Sequence, residues 1–151
     1  MLTFRIYPEP RHSRLYFTVH VFEQLAELRA FAMASSRQAP SYFRRSLGVC
    51  QTWRDRRDRE CGQILFAETH LRPDVISHEA GHALIGWAAR RDVPLDRWPA
   101  AKAGATEERA CYALGELVGQ IFTTLAARGV PITPIRTRQR RGGGVARRRR
   151  G

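Results

Sequence analysis

Cysteine is scarce in this chain: Cys50, Cys61 and Cys111 are the only three, no two form a CxxC, and one is left over from any pairing. A disulfide framework is therefore not expected, and a reducing compartment is. The thiols are read as small buried apolar groups, although Cys50 and Cys61 would face each other if their two segments paired as strands. Long apolar runs are missing too. No uninterrupted stretch approaches the roughly 20 residues that cross a bilayer. The segment MLTFRIYPEPRHSRLYF lacks the basic-then-apolar layout of a signal peptide. The expectation is a soluble, leaderless, cytoplasmic monomer with no membrane partner. No repeat of solenoid period is present.

What the chain does have is positive charge, and its location matters. Arg136, Arg138, Arg140, Arg141 and Arg147 to Arg150 supply eight charges, and taking these from the total of +12 leaves +4 on the rest. A tail over 131–151, interrupted by Gly142, Gly143 and Gly144, holds too little apolar surface to offset its ordering entropy, so it is expected to be disordered. No aromatic side chains interleave with its arginines, so any nucleic acid it holds would be bound non-specifically and salt-dependently. Residues 1–130 suffice for one domain, and an apolar content of 43% lets it bury a core.

Hydrophobic periodicity predicts strands over Leu2 to Tyr7 and Leu15 to Val21, joined at Pro8-Glu9-Pro10 as a hairpin. Phe22, Leu25, Leu28 and Ala32 recur at helical spacing up to about Ala34, and a loop around Ser35, Ser36 and Pro40 follows. Leu47 to Trp53 and Gln63 to Glu68 read as a second strand pair about the charged run Arg54 to Glu60. Pro73 and Asp74 then open a helix that runs to about Arg90. A loop from Asp92 to Ala105 leads to another helix, with Thr106 as N-cap, Glu107 and Glu108 at its positive end and Leu114, Leu117, Val118, Ile121 and Leu125 as its buried stripe. Gly129 and Pro131 end it. The fold class is α+β: a small, mainly antiparallel sheet packed on a helix, then an HExxH helix and a second ligand-bearing helix.

The HExxH is His78-Glu79-Ala80-Gly81-His82. Residues four apart share a helix face, so both imidazoles can reach one Zn²⁺, and Glu79 beside them suits a general base toward an attacking water. By chance this pattern arises in only about one sequence in a hundred of this composition. The alternative is a pair of exposed helix histidines with no metal. Catalytic zinc takes three protein ligands as a rule, and no histidine follows His82. The metzincin extension would require a histidine at position 88, which is Ala88. A carboxylate of the next helix is therefore the expected third ligand. Glu108 is preferred to Glu107 because its face continues through Cys111, Tyr112, Gly115 and Gly119, small enough for close approach. The remaining glutamate is then a helix-dipole carboxylate.

The segments VISHEAGHALIGWAARR and EERACYALGELVGQI resemble the minigluzincins, small gluzincin-type metallopeptidases, especially those encoded by phages and prophages. The resemblance covers Gln63 to Phe122 and includes the Glu-Glu helix start, Tyr112 and Gly115. It implies a zinc metalloendopeptidase with one Zn²⁺ per chain and a polypeptide substrate. His78, His82 and one of Glu107 or Glu108 would be its ligands, and Glu79 its base. The Asp that many gluzincins place after the third ligand is missing, and Cys111 and Tyr112 stand in that region. Tyr112 would hydrogen-bond a ligand histidine, stabilise the oxyanion, or simply pack in the core.

The strand at Gln63 to Glu68 is a candidate edge for pairing with substrate, or else an interior strand. His70 reads as a surface histidine, and His12 and His20 as structural ones. The rival function is a non-catalytic binding or regulatory protein with a zincin-like fold and a nucleic-acid-binding basic tail. A structural zinc site normally closes all four positions with Cys or His, which this donor set does not do.

Overall fold

Alternation decides the first elements of the computed structural model, which describes residues 1–11, 14–36, 38–53, 55, 57–95 and 104–134. Strand β1 (Leu2–Ile6) and strand β2 (Tyr16–Phe22) pair antiparallel, Leu2 opposite Val21 and Ile6 opposite Phe17, as the hairpin reading predicts. Along β2, Phe17, Val19 and Val21 are buried on one face while Thr18 and His20 point to the other. Helix α1 (Leu25–Ala34) follows, then a single turn, α2 (Pro40–Phe43), in a region that reads as loop from its composition. Pro40 opens that turn, where its missing N–H costs nothing, and Phe43 anchors it in the core.

Strands β3 (Gly48–Thr52) and β4 (Glu60–Ala67) form the expected second pair, and it is antiparallel, with Cys50 opposite Ile64. Cys50 and Cys61 therefore do not face each other, and all three cysteines are free thiols. The sheet order is β1-β2-β4-β3, with β4 parallel to β2, so two of the three pairings are antiparallel. Strand β4 lies inside the sheet and is buried from Cys61 to Ala67, which explains its near-continuous apolar run. The register with β2 slips at Cys61, and Gly62 takes a φ of 153° there. A Cβ on Gly62 would stand 2.0 Å from the Gln51 carbonyl oxygen, so only glycine fits this bulge.

Helices cover both sheet faces. Phe22, Leu28, Phe43, Val49 and Leu65 form the smaller core beneath α1 and α2. On the opposite face, Ile6, Phe17, Ile64 and Phe66 pack on α3 (Pro73–Arg90) and α4 (Gly104–Ala127) through Ile76, Trp87, Leu117 and Ile121. Each such large side chain, fully buried, contributes roughly 1.5–3 kcal/mol. Helix α4 begins at Gly104, so Thr106 lies within its first turn rather than capping it. Over Ala105–Ala127 this helix is long and apolar enough to cross a bilayer by length and composition, which the uninterrupted runs do not suggest; its buried stripe is Ala110, Ala113, Leu117, Ile121 and Leu125.

Two polar ties fix α4 to the hairpin. The Gln120 side chain exchanges hydrogen bonds with both the N–H and the carbonyl of Tyr7, at 2.9 and 2.8 Å. Glu9, at the hairpin turn, accepts from Arg109 at 2.6 and 3.0 Å and pairs with Arg91 at 3.6 Å. The ordered chain also runs past residue 130: Val130 and Ile132 pack on the core, and the Thr133 N–H donates to the Leu71 carbonyl at 2.8 Å. Contacts with the domain therefore extend to Thr133, three residues past the expected end at 130. The arginine tail, His12, and residues 96–103 of the expected loop lie outside the described residues.

Helix α3 and strand β3 run side by side in the same direction, closer than side chains normally permit. A Cβ on Gly86 would fall 2.3 Å from Thr52 Cγ2 and 2.9 Å from its Cβ, whereas one on Gly115 of α4 would meet nothing within 4 Å. Gly86→Ala is expected to lower Tm by roughly 3–8 °C through overpacking, and Gly115→Ala to leave it unchanged or raise it through helix propensity. Thermal unfolding of both variants checks this, and a Gly86→Ala protein as stable as wild type would refute the close-contact account.

Candidate metal centre

The helix that carries HExxH has the bounds its sequence predicts, with Pro73 in its first turn. Arg72 grips Asp74 through two contacts of 3.0 and 2.5 Å, so this acid is held by its neighbour as well as suiting the helix dipole. One turn on, the three motif side chains separate by face. His78 and His82 are exposed, while Glu79 retains only 5% of its surface.

The two imidazoles converge. Their Nε2 atoms are 3.2 Å apart, with ring centroids at 4.8 Å and planes at 84°. Two nitrogens bound at about 2.05 Å to one tetrahedral zinc stand about 3.3 Å apart, so the pair has the spacing such an ion requires. The same separation accommodates an N–H···N hydrogen bond between neutral rings, with the tautomers deciding which nitrogen donates.

Glu79 turns inward, against β3. A Cβ on Gly48 would lie 2.8 Å from Glu79 Cγ and 3.0 Å from Val75 Cγ1, so this glycine makes the room in which the carboxylate sits. The Cys50 backbone N–H donates to it. Burial raises the Glu79 carboxyl to about 6, against the opposing pulls of His78 and the Cys50 amide. The Cys50 thiol is pushed far up, first by burial and then by Glu79, and so stays protonated.

Two depressions flank the histidines along β3. One of ≈ 420 Å³ is lined by Arg45, Leu47, Gly48, Arg72, His78 and Glu79. The other, of ≈ 540 Å³, is lined by Cys50, Thr52, Trp53, His82, Ile85 and Arg90. The strand beside the site is β3, at the edge of the sheet, and not the Gln63 to Glu68 segment, which is interior.

The structure does not bring the expected carboxylates to this pair. Glu107 and Glu108 are both exposed near the start of α4. Glu108 and Tyr112 line a separate depression of ≈ 730 Å³ with Glu9, Arg11, Arg109 and Glu116. Among the described residues no three of His, Cys, Asp and Glu group closely enough to hold a metal. Tyr112 is 72% exposed, so it is no core residue, and nothing places it on a histidine. His70 contacts Thr69 at the surface, and His20 packs against Phe22 and Phe31, where burial lowers its pKa.

Sequence reasoning missed Gly48, Cys50 and Arg45. A glycine inside a strand pattern, at Leu47-Gly48-Val49, is the signal that another element approaches the backbone there. No protein-family model, curated protein or solved structure matches this chain.

The raised carboxyl links stability to pH. In metal-free protein the folded chain holds a proton on Glu79 that the unfolded chain has released between about pH 4.5 and 6. Stability from this group is therefore fully present at low pH and is lost as pH rises through 6, by on the order of 2 kcal/mol. Glu79→Gln should remove this loss, so the Tm difference between variant and wild type should grow from pH 4.5 to 7. Parallel Tm–pH profiles would show that the buried carboxyl is not shifted.

Proposed function

We propose that this chain is a zinc-dependent metallopeptidase of minigluzincin type that hydrolyses peptide bonds. The observation that carries the reading is the pair of imidazole Nε2 atoms 3.2 Å apart, one helix turn from each other, with a buried glutamate between them. Two imidazole nitrogens at this spacing fit two positions of a zinc ion. His78 and His82 would hold the ion, and a metal there supplies a Lewis acid for a peptide carbonyl and for an attacking water.

Glu79 is the base in this reading. Held near pH 6 by burial, its carboxylate takes a proton near neutrality and releases it to the leaving amine. Gly48 and the Cys50 N–H fix the carboxylate in position, so little reorganisation is needed when the proton arrives. Glu108, with Glu107 as its rival, stays the proposed third ligand, although both stand apart from the histidines here. That separation also favours a second reading, a non-catalytic regulatory protein whose eight tail arginines hold nucleic acid without sequence preference.

Elemental analysis of the purified full chain separates the two. The peptidase reading expects about one zinc per chain, lost in His78→Ala and in His82→Ala. Glu79→Gln should retain zinc and lose cleavage by roughly 10²–10⁴-fold. Replacing Glu107 and Glu108 singly by Gln should weaken zinc binding sharply in one case only. No zinc in the wild type after metal addition would overturn the reading and favour the binding protein.

A further inference from the structure

Three arginines, Arg45, Arg72 and Arg90, line the two depressions beside the histidines, and one of them, Arg72, is already matched to an acid, Asp74. Two are not, and they stand one in each depression flanking the histidine pair. Arg45 is exposed in the depression of His78 and Glu79, and Arg90 lines that of His82. Neither forms an ion pair among the described residues. Arg90 is nonetheless fixed in place: its Nη1 donates to the Glu60 carbonyl at 2.8 Å and its Nη2 to that of Asp58. Carbonyl dipoles position a guanidinium without cancelling its charge, and among the described residues three of its five N–H donors are left for a ligand.

The spacing of these cations suits an extended chain. A Cβ on Gly48 would meet Val75 and Glu79 and one on Gly86 would meet Thr52, so β3 and α3 run together past the two depressions. From His82 to Arg90 the helix rises about 12 Å. An extended peptide advances about 3.3 Å per residue, so Arg90 lies three or four residues from a bond held at the histidines. Arg45 precedes Gly48 by three residues at the other end. Trp53, Ile85 and Thr52 wall the Arg90 side with surface suited to the stem of an acidic side chain.

We propose that the substrate of this site is an extended acidic peptide. One Asp or Glu carboxylate sits three or four residues from the scissile bond and meets Arg90, and another on the opposite side meets Arg45. This rests on the peptidase reading above. Like charge disfavours the chain's own arginine tail as the occupant.

The test uses the full zinc-loaded chain and quenched fluorescent peptides, capped at both ends, each with two glutamates. Isomers of equal net charge carry the glutamates either at the proposed positions or elsewhere, and a third set carries lysine. The isomer with both acids in place should show a kcat/KM about tenfold above its isomers, up to about fivefold per arginine contact, and the advantage should fall with salt. Arg45→Glu should abolish the preference at its end and favour lysine there. Arg90→Gln should abolish the preference at the other end without favouring lysine there, with Arg90→Lys restoring part of it should the glutamine variant fold poorly. Anisotropy of the same peptides on metal-free protein should rank them alike.

Cleavage that is indifferent to glutamate position overturns the acidic-substrate inference and leaves the peptidase reading standing. A preference for acid that ignores position and survives Arg45→Glu belongs to the tail and overturns it as well. Failure to take up zinc together with no cleavage of any peptide overturns both.

Discussion

The packing of helix α3 directly onto the backbone of edge strand β3 sets the rest of the site. Two positions without side chains make it possible, Gly48 on the strand and Gly86 on the helix, each facing a partner that a Cβ would strike. Because the helix sits so close, the residue between the two histidines is driven into the interface rather than out to water. The histidines, rotated away from that interface by the helical repeat, stay at the surface with their Nε2 atoms together. One contact therefore produces a buried acid and an exposed imidazole pair from neighbouring residues of a single helix.

Local signals were legible and long-range ones were not. Pro73 and the apolar spacing after it fix helix α3 to within its observed bounds, and Pro8-Glu9-Pro10 marks the turn of a real hairpin. Which strand lies at the sheet edge is another matter. Both β3 and β4 are short and apolar, and only the insertion of β4 between β2 and β3 distinguishes them. The continuous burial of Cys61 to Ala67 is a trace of this in the sequence, but a short apolar run does not by itself declare its neighbours. Tyr112 and Glu108 show the same limit. A face of small residues on α4 suggested close approach to α3, yet the helix buries the stripe through Ala113 and Leu117 and leaves Cys111, Tyr112 and Gly115 outward. Composition of a face says what it permits, while the larger apolar stripe decides which face is buried.

Polar ties follow the same division. Gln120 and Glu9 each reach across more than eighty residues to complete bonds with Tyr7 and with Arg91 and Arg109. Neither residue looks unusual in sequence. They matter because α4 packs along the hairpin, where unpaired backbone groups and a partly enclosed carboxylate would otherwise be costly.

Glu9 and Glu79 make an instructive pair, since both carboxylates are almost enclosed. Glu9 has two guanidiniums on it, which offset its charge and make it a fastener between the hairpin, α3 and α4. Among the described residues Glu79 has no guanidinium or ammonium partner, only the Cys50 amide and an imidazole neighbour, and burial outweighs both. A carboxylate buried for stability alone would be better served by the first arrangement, because a buried acid without a full counter-charge costs free energy whenever it ionises. The chain tolerates that cost where two imidazoles converge beside it. In the peptidase reading proposed above, a cation seated on those imidazoles would supply the missing counter-charge, so the deficit at Glu79 and the spacing of His78 and His82 would be met by one ligand.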